Sequence, residues 1–440
     1  MQIGVRLMTR ETLVRMARDV LNHGHAKTIV KADDFYKLPA SVYFDKERNQ
    51  REKDLVFKRI PIVLGPSAEI PNPGDFKTMD IVGTSILLTR TKNGDVMGHL
   101  NTCMHRGAPV TNEKFGNSKR FTCQYHGWTY SNEGKLIGIA SSHDFGEIDK
   151  NCFNLVAFPV YERAGLIWGI INPESKIDFD VFISDYDKMI GNFGLENWSL
   201  FAQRTLSGPN WKAGYDGYLD IYHVPILHKN TFGPKVSNRP LYYSWGPHQR
   251  VCTVSLSKDK VRAVLGYMSD LVDKPEEEWD MQTLLYGVWT VFPHASIASF
   301  LGGDRDLEAK DEGIPGHRGV MLSVLYPGEG VNEHYTSQYY LMENPPTDEE
   351  GIANAQAQFD LLEEIVGQED YNMGRSQVKS LMGGALKELT FGLNEKGNQN
   401  FYKWVDKVLD AKDDAELNEF FGSLGKEKGI PADTDKTVAA

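Results

Sequence analysis

Cysteine is scarce, positive charge is in deficit and long apolar runs are missing, and each shortage closes off a class of function. Four cysteines in 440 residues cannot supply a disulfide framework and fit a reducing compartment. Lysine and arginine number 48 against 60 acidic residues, a net charge of −12. That balance argues against nucleic acid or an anionic membrane surface as partner. No stretch approaches the ~20 apolar residues of a membrane span. The opening MQIGVRLMTRETLVRMARDV alternates charged with apolar residues and lacks the apolar core of a secretion signal. The expectation is a cytoplasmic protein that touches neither nucleic acid nor membrane. Hydrophobic content of 41% and charged content of 25% are those of an ordinary globular chain, long enough for two or three domains. No internal repeat is seen.

Two of the four cysteines lie in NTCMHRGAPVTNEKFGNSKRFTCQYHGWTY, residues 101–130. Cys103 and His105 form a C-x-H, Cys123 and His126 a C-x-x-H, with seventeen residues between the pairs. Two thiolates suit one iron and two imidazoles a second, the ligand set of a Rieske [2Fe–2S] cluster, one per chain. A tetrahedral Cys₂His₂ zinc site would read C-x₂₋₄-C followed by H-x₃₋₅-H; here each cysteine has its own histidine. Gly107 and Gly127 follow the pairs, where tight loops can turn backbone N–H groups toward cluster sulfides. Cys152 and Cys252 read as buried thiols.

Residues 1–45 read as a helix and an irregular stretch. His23 and His25 are placed at the helix C-terminus, where Gly24 breaks the pattern and a cationic ring complements the dipole. From about Leu55 short strands alternate with turn residues, including a hairpin at Asn93-Gly94. This is an all-β unit, 46–172, with the cysteine loops at its tip. Residues 173–426 are mixed. Long β-type runs between 234 and 345 (RVCTVSLS, AVLGYM, LLYGVWTVFPHASIASFLG, GVMLSVLYPG) suit one curved antiparallel sheet. Thr347 to Met382 reads as one long helix opened by a Thr347/Glu350 capping box, and Gln399 to Leu409 as a second, amphipathic one. The tail, 427–440, is charged and expected to fray.

WKAGYDGYLDIYHVPILHKNT, 211–231, holds a second constellation. Asp220 and His223 share a helix face at a spacing of three. His223 and His228, five apart, would splay by about 140° on an ideal helix, but Pro225 between them can kink the chain and return His228. Two converging imidazoles and a remote carboxylate make the facial triad of a non-haem Fe(II) oxygenase. Asp370, in GQEDYNMGRSQ, is the chosen carboxylate. Glu369 should point about 100° away, and Asp360 and Glu363 are rivals. Alone, this spacing reads as two ordinary helix histidines; the upstream cluster loops reverse that, because a one-electron carrier needs an acceptor.

Taken together these residues resemble the catalytic (alpha) subunit of Rieske non-haem iron aromatic-ring-hydroxylating oxygenases. The likeness runs through NPGDF, CMHRGAPV, CQYHGWTY, GLIWGIINP, NWK with D-G-Y-x-D-x-Y-H-x₄-H, and E-D-x₆-Q at Glu369, Asp370 and Gln377; FGLNEKGNQNFYKWVD (391–406) is similar to a C-terminal feature of some members. The extra cysteine pair of respiratory Rieske proteins is missing. The resemblance implies an α+β fold: a Rieske all-β domain inserted in a helix-grip catalytic domain, antiparallel sheet plus long helix. It implies His223, His228 and Asp370 as ligands of one Fe²⁺ per chain. It implies Asp220 as the carboxylate bridging a Rieske histidine of a neighbouring subunit to an iron-binding histidine. It further implies a homotrimer of alpha subunits, with or without a small beta subunit, because cluster and iron within one chain lie too far apart for fast transfer. Electrons would come from an NAD(P)H reductase, directly or through a ferredoxin. Gln124 departs from the proline of many relatives, and Asp216-Gly217 from their Glu-Asn; Asp216 near the iron would alter its hydrogen bonding.

The expected activity is O₂-dependent hydroxylation, chiefly dihydroxylation, of a small aromatic substrate. A monooxygenase or demethylase acting on a quaternary amine or steroid-like compound is the alternative, and an electron-transfer Rieske protein a second. The runs between 234 and 345 suggest a greasy pocket, though ordinary sheet core explains any single residue. His294 reads as a satisfied sheet histidine.

Overall fold

The computed structural model describes residues 2–26, 28–231, 233, 236–253, 271, 274–299 and 318–423. The largest sheet among them has seven antiparallel strands. Their order is Ser199–Gly208, His334–Met342, Gly319–Pro327, Ala295–Ala298, Val288–Val291, His248–Thr253 and Pro240–Trp245. Runs such as GVMLSVLYP are buried along their whole length, so both faces of the sheet are covered.

One face joins the main core. Trp289, Val291, Ile297, Leu322, Val324 and Leu341 pack there with Leu13, Met16 and Val20 of the N-terminal helix and with Ile62, Val63, Ile167 and Trp168. These last four belong to a three-stranded sheet, Val160–Arg163, Leu166–Gly169 and Ile62–Pro66. A five-stranded sheet and a second three-stranded sheet complete the β-rich unit. Its seam with the large sheet carries a buried cation: Lys77 Nζ donates to Leu64 O at 2.9 Å, Glu69 Oε2 at 2.5 Å and Tyr339 Oη at 3.4 Å. Losing either charge there leaves the other buried alone, a cost of about 3–5 kcal/mol. The fold is the expected one, a β-rich unit set within an antiparallel sheet and its long helix.

The Asn93-Gly94 hairpin forms, with Gly94 at φ +92° and Thr91 N–H donating to Asp95 O at 2.8 Å. A second tight turn at Val82-Gly83 has φ of +44° and +81°. Valine hides that turn, since such positions normally carry Asn or Gly. The long helix is not continuous: Glu349–Glu363 passes through a π-helical segment, Glu364–Asp370, into Tyr371–Met382. Its N-cap is Asp348, which accepts Gly351 N–H at 2.8 Å, in place of the Thr347/Glu350 box. The second helix runs Lys396–Asp410.

Other expectations change. The first helix continues past Gly24 to Ala26. His23 Nδ1 meets Thr28 Oγ1 at 2.8 Å, and burial lowers its pKa, so the ring is neutral instead of a cationic cap; the His25 side chain lies outside the described residues. Cys252 is buried but Cys152 is exposed, because it sits in a short 3₁₀ turn, Lys150–Phe153, none of whose residues is buried. The AVLGYM run and the tail from 427 also lie outside the described residues. No helix among those described is long and apolar enough to cross a membrane.

Candidate functional site

The two cysteine loops repeat one another bond for bond. Cys103 N–H donates to Ala108 O at 2.8 Å and Gly107 N–H to Cys103 O at 2.9 Å. Cys123 N–H donates to Trp128 O at 2.8 Å and Gly127 N–H to Cys123 O at 2.9 Å. Gly107 and Gly127 hold φ of +77° and +68°, the left-handed region where a side chain is costly. Both cysteines are buried. The His105 and His126 rings lie 4.6 Å apart, and His105 stacks on Trp128 at 4.9 Å. Tyr130 Oη accepts Met104 N–H at 3.0 Å and lies 3.4 Å from Cys103 Sγ. Burial, then the bond with Cys103, raises the Tyr130 pKa, which keeps its proton available to sulfur.

His105 Nδ1 is buried without a hydrogen-bond partner. An orphaned ring nitrogen costs about 1–3 kcal/mol unless its lone pair is used. Two buried sulfurs on matching loops, with imidazoles beside them, fit a [2Fe–2S] group.

The second constellation is built differently from the expected kinked helix. Asn210 caps the helix Trp211–Leu219, and its side chain accepts Lys212 N–H at 3.0 Å. A buried carboxylate, Glu52, anchors that helix by accepting from Trp211 Nε1 at 2.9 Å and from Lys212 Nζ. Asp220 leaves the helix in an extended conformation, φ −108° and ψ 125°. His223 precedes and His228 closes a four-residue helix, Val224–Leu227. Pro225 lies in its first turn, where a missing N–H is tolerated. One helical turn thus brings both rings to the same side.

There the three ligand atoms converge. His223 Nε2 and His228 Nε2 are 3.3 Å apart, and Asp370 Oδ1 lies 3.5 and 3.2 Å from them. All fall within 4.8 Å, close enough to hold one metal ion. Each far nitrogen is engaged: His223 Nδ1 with Asp220 Oδ2 at 3.0 Å, His228 Nδ1 with Glu369 Oε2 at 2.7 Å. Thr231 Oγ1 steadies Glu369 at 3.1 Å. Carboxylates in these positions fix the tautomer that leaves Nε2 free for a metal.

Charge is concentrated here. Burial opposes a proton on His223, but the bonds to Asp220 and Asp370 outweigh it and raise the pKa to about 10. His228 is also raised, with burial overcome by Asp370 and Glu369. Asp370 is lowered, since the two histidines overcome its own desolvation. Two imidazoles and a carboxylate that draw positive charge to one point suit a divalent cation.

Glu369 is the residue the sequence reading turned away. It points away from Asp370, as expected, and its carboxylate meets the opposite nitrogen of the His228 ring, so adjacent residues serve one histidine from two sides. Asp360 and Glu363 do not enter: Asp360 accepts from Gln356 and Glu363 pairs with Arg204. Asp216 is not bonded to the triad. Tyr402 Oη donates to it at 2.9 Å, Asn398 Nδ2 at 3.3 Å, and Tyr43 Oη also donates. Burial raises its pKa to about 7 despite these bonds. His294 is fully buried, with Nδ1 at 2.8 Å from Leu325 O and Nε2 accepting Val63 N–H at 3.2 Å. Burial lowers its pKa to about 3, as befits a satisfied sheet histidine.

Two family profiles match the chain: the Rieske [2Fe-2S] domain over 61–152, and the ring hydroxylating alpha subunit (catalytic domain) over 195–303 and 316–411. This protein belongs to the ring-hydroxylating oxygenase alpha-subunit family. It is an oxidoreductase family that couples a Rieske [2Fe–2S] cluster to a non-haem iron catalytic domain. The chain is 33% identical over 197 residues to the 2,4-dinitrotoluene dioxygenase large oxygenase component of a Burkholderia species, covering 42% of this chain and 43% of that protein. It is 27% identical over 206 residues to the anthranilate 1,2-dioxygenase large subunit of Acinetobacter baylyi, covering 45% and 44%. The chain spans about half the length of these relatives. Among solved structures, naphthalene 1,2-dioxygenase from Rhodococcus bound to indole matches at TM-score 0.67 and 22% identity, over 92% of this chain and 98% of that one. The quaternary ammonium Rieske monooxygenase CntA matches at 0.68 and 18%, over 85% and 96%. Both agree in fold.

Proposed function

We propose that this alpha subunit is a terminal oxygenase that hydroxylates a small aromatic substrate, adding both atoms of O₂, with electrons from an NAD(P)H reductase. The observation that supports it most is the convergence of His223, His228 and Asp370 in the chain that also carries the paired Cys/His loops. In this reading Cys103, Cys123, His105 and His126 hold the cluster and His223, His228 and Asp370 hold Fe²⁺. Held there, the cluster would supply single electrons and the iron would supply O₂ chemistry. The domains run 1–45 and 173–426 for the catalytic part, 46–172 for the Rieske part and 427–440 for the tail.

The chain's own residues then have distinct tasks. Asp220 and Glu369 hold the two imidazoles in the tautomer that offers Nε2. Asp220 is partly exposed, and we assign it the contact with a Rieske histidine of the next subunit in a homotrimer. Tyr218 stands between the triad and the sheet: its hydroxyl lies 3.3 Å from Tyr371 Oη and feels the charge of Asp370. The substrate sits against that side.

The test is turnover with a surrogate reductase on a panel of aromatic and amine compounds, with ¹⁸O₂ and product masses. Two labelled atoms in an aromatic product are expected. A demethylated amine would favour the alternative reading, and no oxygenated product with any compound would favour electron transfer alone. Asp220→Asn should keep cluster and iron while product formation falls about 100-fold; unchanged turnover would defeat its bridging role.

A further inference from the structure

The large sheet has two unlike faces. Toward the main core it presents Trp289, Ile297, Leu322 and Leu341. Toward the helices that carry the triad, one residue per strand lines up in register: Gln249 opposite Thr290, Thr290 opposite Ser296, Ser296 opposite Ser323, Ser323 opposite Gln338, and Gln338 opposite Arg204. Side chains on directly paired residues share a face, so this is one polar row crossing the sheet. The five residues from Gln249 to Gln338 are at least 98% buried. The greasy wall expected from LLYGVWTVFPHASIASF is therefore not what faces the triad over its described strands; Trp289, Val291 and Ile297 turn to the other side.

The row is unfinished. Ser296 Oγ, Gln338 Nε2 and Gln249 Oε1 have no hydrogen-bond partner, each a penalty of about 1–3 kcal/mol if never satisfied. Around it the apolar packing stays in separate patches: one with Met321 and Phe359, one with Val251 and Val288, one with Ile365 and Tyr371. Tyr218 faces Ser323 and Gln338 from the triad side, without completing the bond to Gln338 Nε2. The orientation of Gln338 is not arbitrary. Arg204 Nε, which can only donate, holds Gln338 Oε1 at 2.8 Å, so the amide turns its N–H₂ end toward the interior.

We propose that this row reads the substrate: an aromatic compound bearing an uncharged oxygen acceptor (a carbonyl, nitro or ether oxygen), held by Gln338 Nε2 and Ser296 Oγ. The proposal rests on the oxygenase reading above and narrows it. A bare hydrocarbon leaves the donors unpaired. A quaternary ammonium finds no carboxylate in the row. A carboxylate finds no free cation, because Arg204 is committed to Gln338, to Phe359 O and to Glu363.

The test pairs near-isosteres that differ at one atom. Binding to the iron-loaded protein under nitrogen is measured by calorimetry for acetophenone, α-methylstyrene, benzoate and phenyltrimethylammonium; turnover is measured separately. Acetophenone should bind at least about tenfold more tightly than the other three. Ser296→Ala and Gln338→Leu should each erase most of that advantage, with α-methylstyrene bound no more weakly than by the unaltered protein. Equal binding of acetophenone and α-methylstyrene, or preference for benzoate or the ammonium, overturns the proposal. So does an advantage that survives both variants. If acetophenone binds selectively yet nothing is oxygenated, the oxygenase reading fails and the recognition row stands.

Discussion

His105 and His126 sit on two loops with the same backbone hydrogen bonds, and His105 Nδ1 is left bare; His223 and His228 bracket one short helix, and each Nδ1 is gripped by a carboxylate. The first pair is arranged by local chain geometry, by glycines with positive φ and cysteines two or three residues away. The second is arranged by groups far apart in sequence, with Glu369 141 positions from His228. A loop that shapes itself can be read from a motif. A site assembled from two helices can be read only in part.

The largest expected effects separate the two sites outright. Cys123→Ser should abolish the visible absorption of the cluster while the iron at the triad is retained. Asp370→Ala should do the reverse, removing about one iron per chain with acid-labile sulfide unchanged. If either variant strips both centres, they are not independently built. Asp220→Asn, set out above, comes next, and acts on turnover alone.

Glu369→Gln sharpens the comparison further. It should weaken metal binding at the triad about 10–100-fold, measured by competition with a chelator, with the cluster spectrum intact. Because Gln can still accept a bond from His228 Nδ1, a loss well below that of Glu369→Ala is expected. The smallest effect is on stability. Asp216, raised to about 7 by burial in the fold, holds more protons folded than unfolded between about pH 4 and 7. Stability should therefore fall as pH rises through that window, and Asp216→Asn should flatten the slope in urea unfolding at pH 5 and 7.5.

Much of the fold and of both sites was legible. The Cys/His spacing of the two loops, the pairing of His223 with His228 and the antiparallel sheet follow from spacing or period, whereas Asp370 was one carboxylate among several and was singled out by the resemblance; the structure brings it beside the two histidines. What escaped did so for physical reasons. Glu369 stays out of the ligand group, as expected, but its bond to the far nitrogen of His228 has no signal in the spacing, because the two residues meet only in the fold. The Asp220–His223 bond was expected on a helix face but forms across an extended residue after the helix ends. The Val82-Gly83 turn has no composition signal on its valine. The polar row was hidden because Thr290, Ser296, Ser323 and Gln338 lie on four strands, and only the register of the sheet aligns them.

The most direct test is the count of iron and acid-labile sulfide in the purified protein after anaerobic reconstitution. The account predicts about three irons and two sulfides per chain. Two irons with two sulfides would leave His223, His228 and Asp370 without their metal and contradict it.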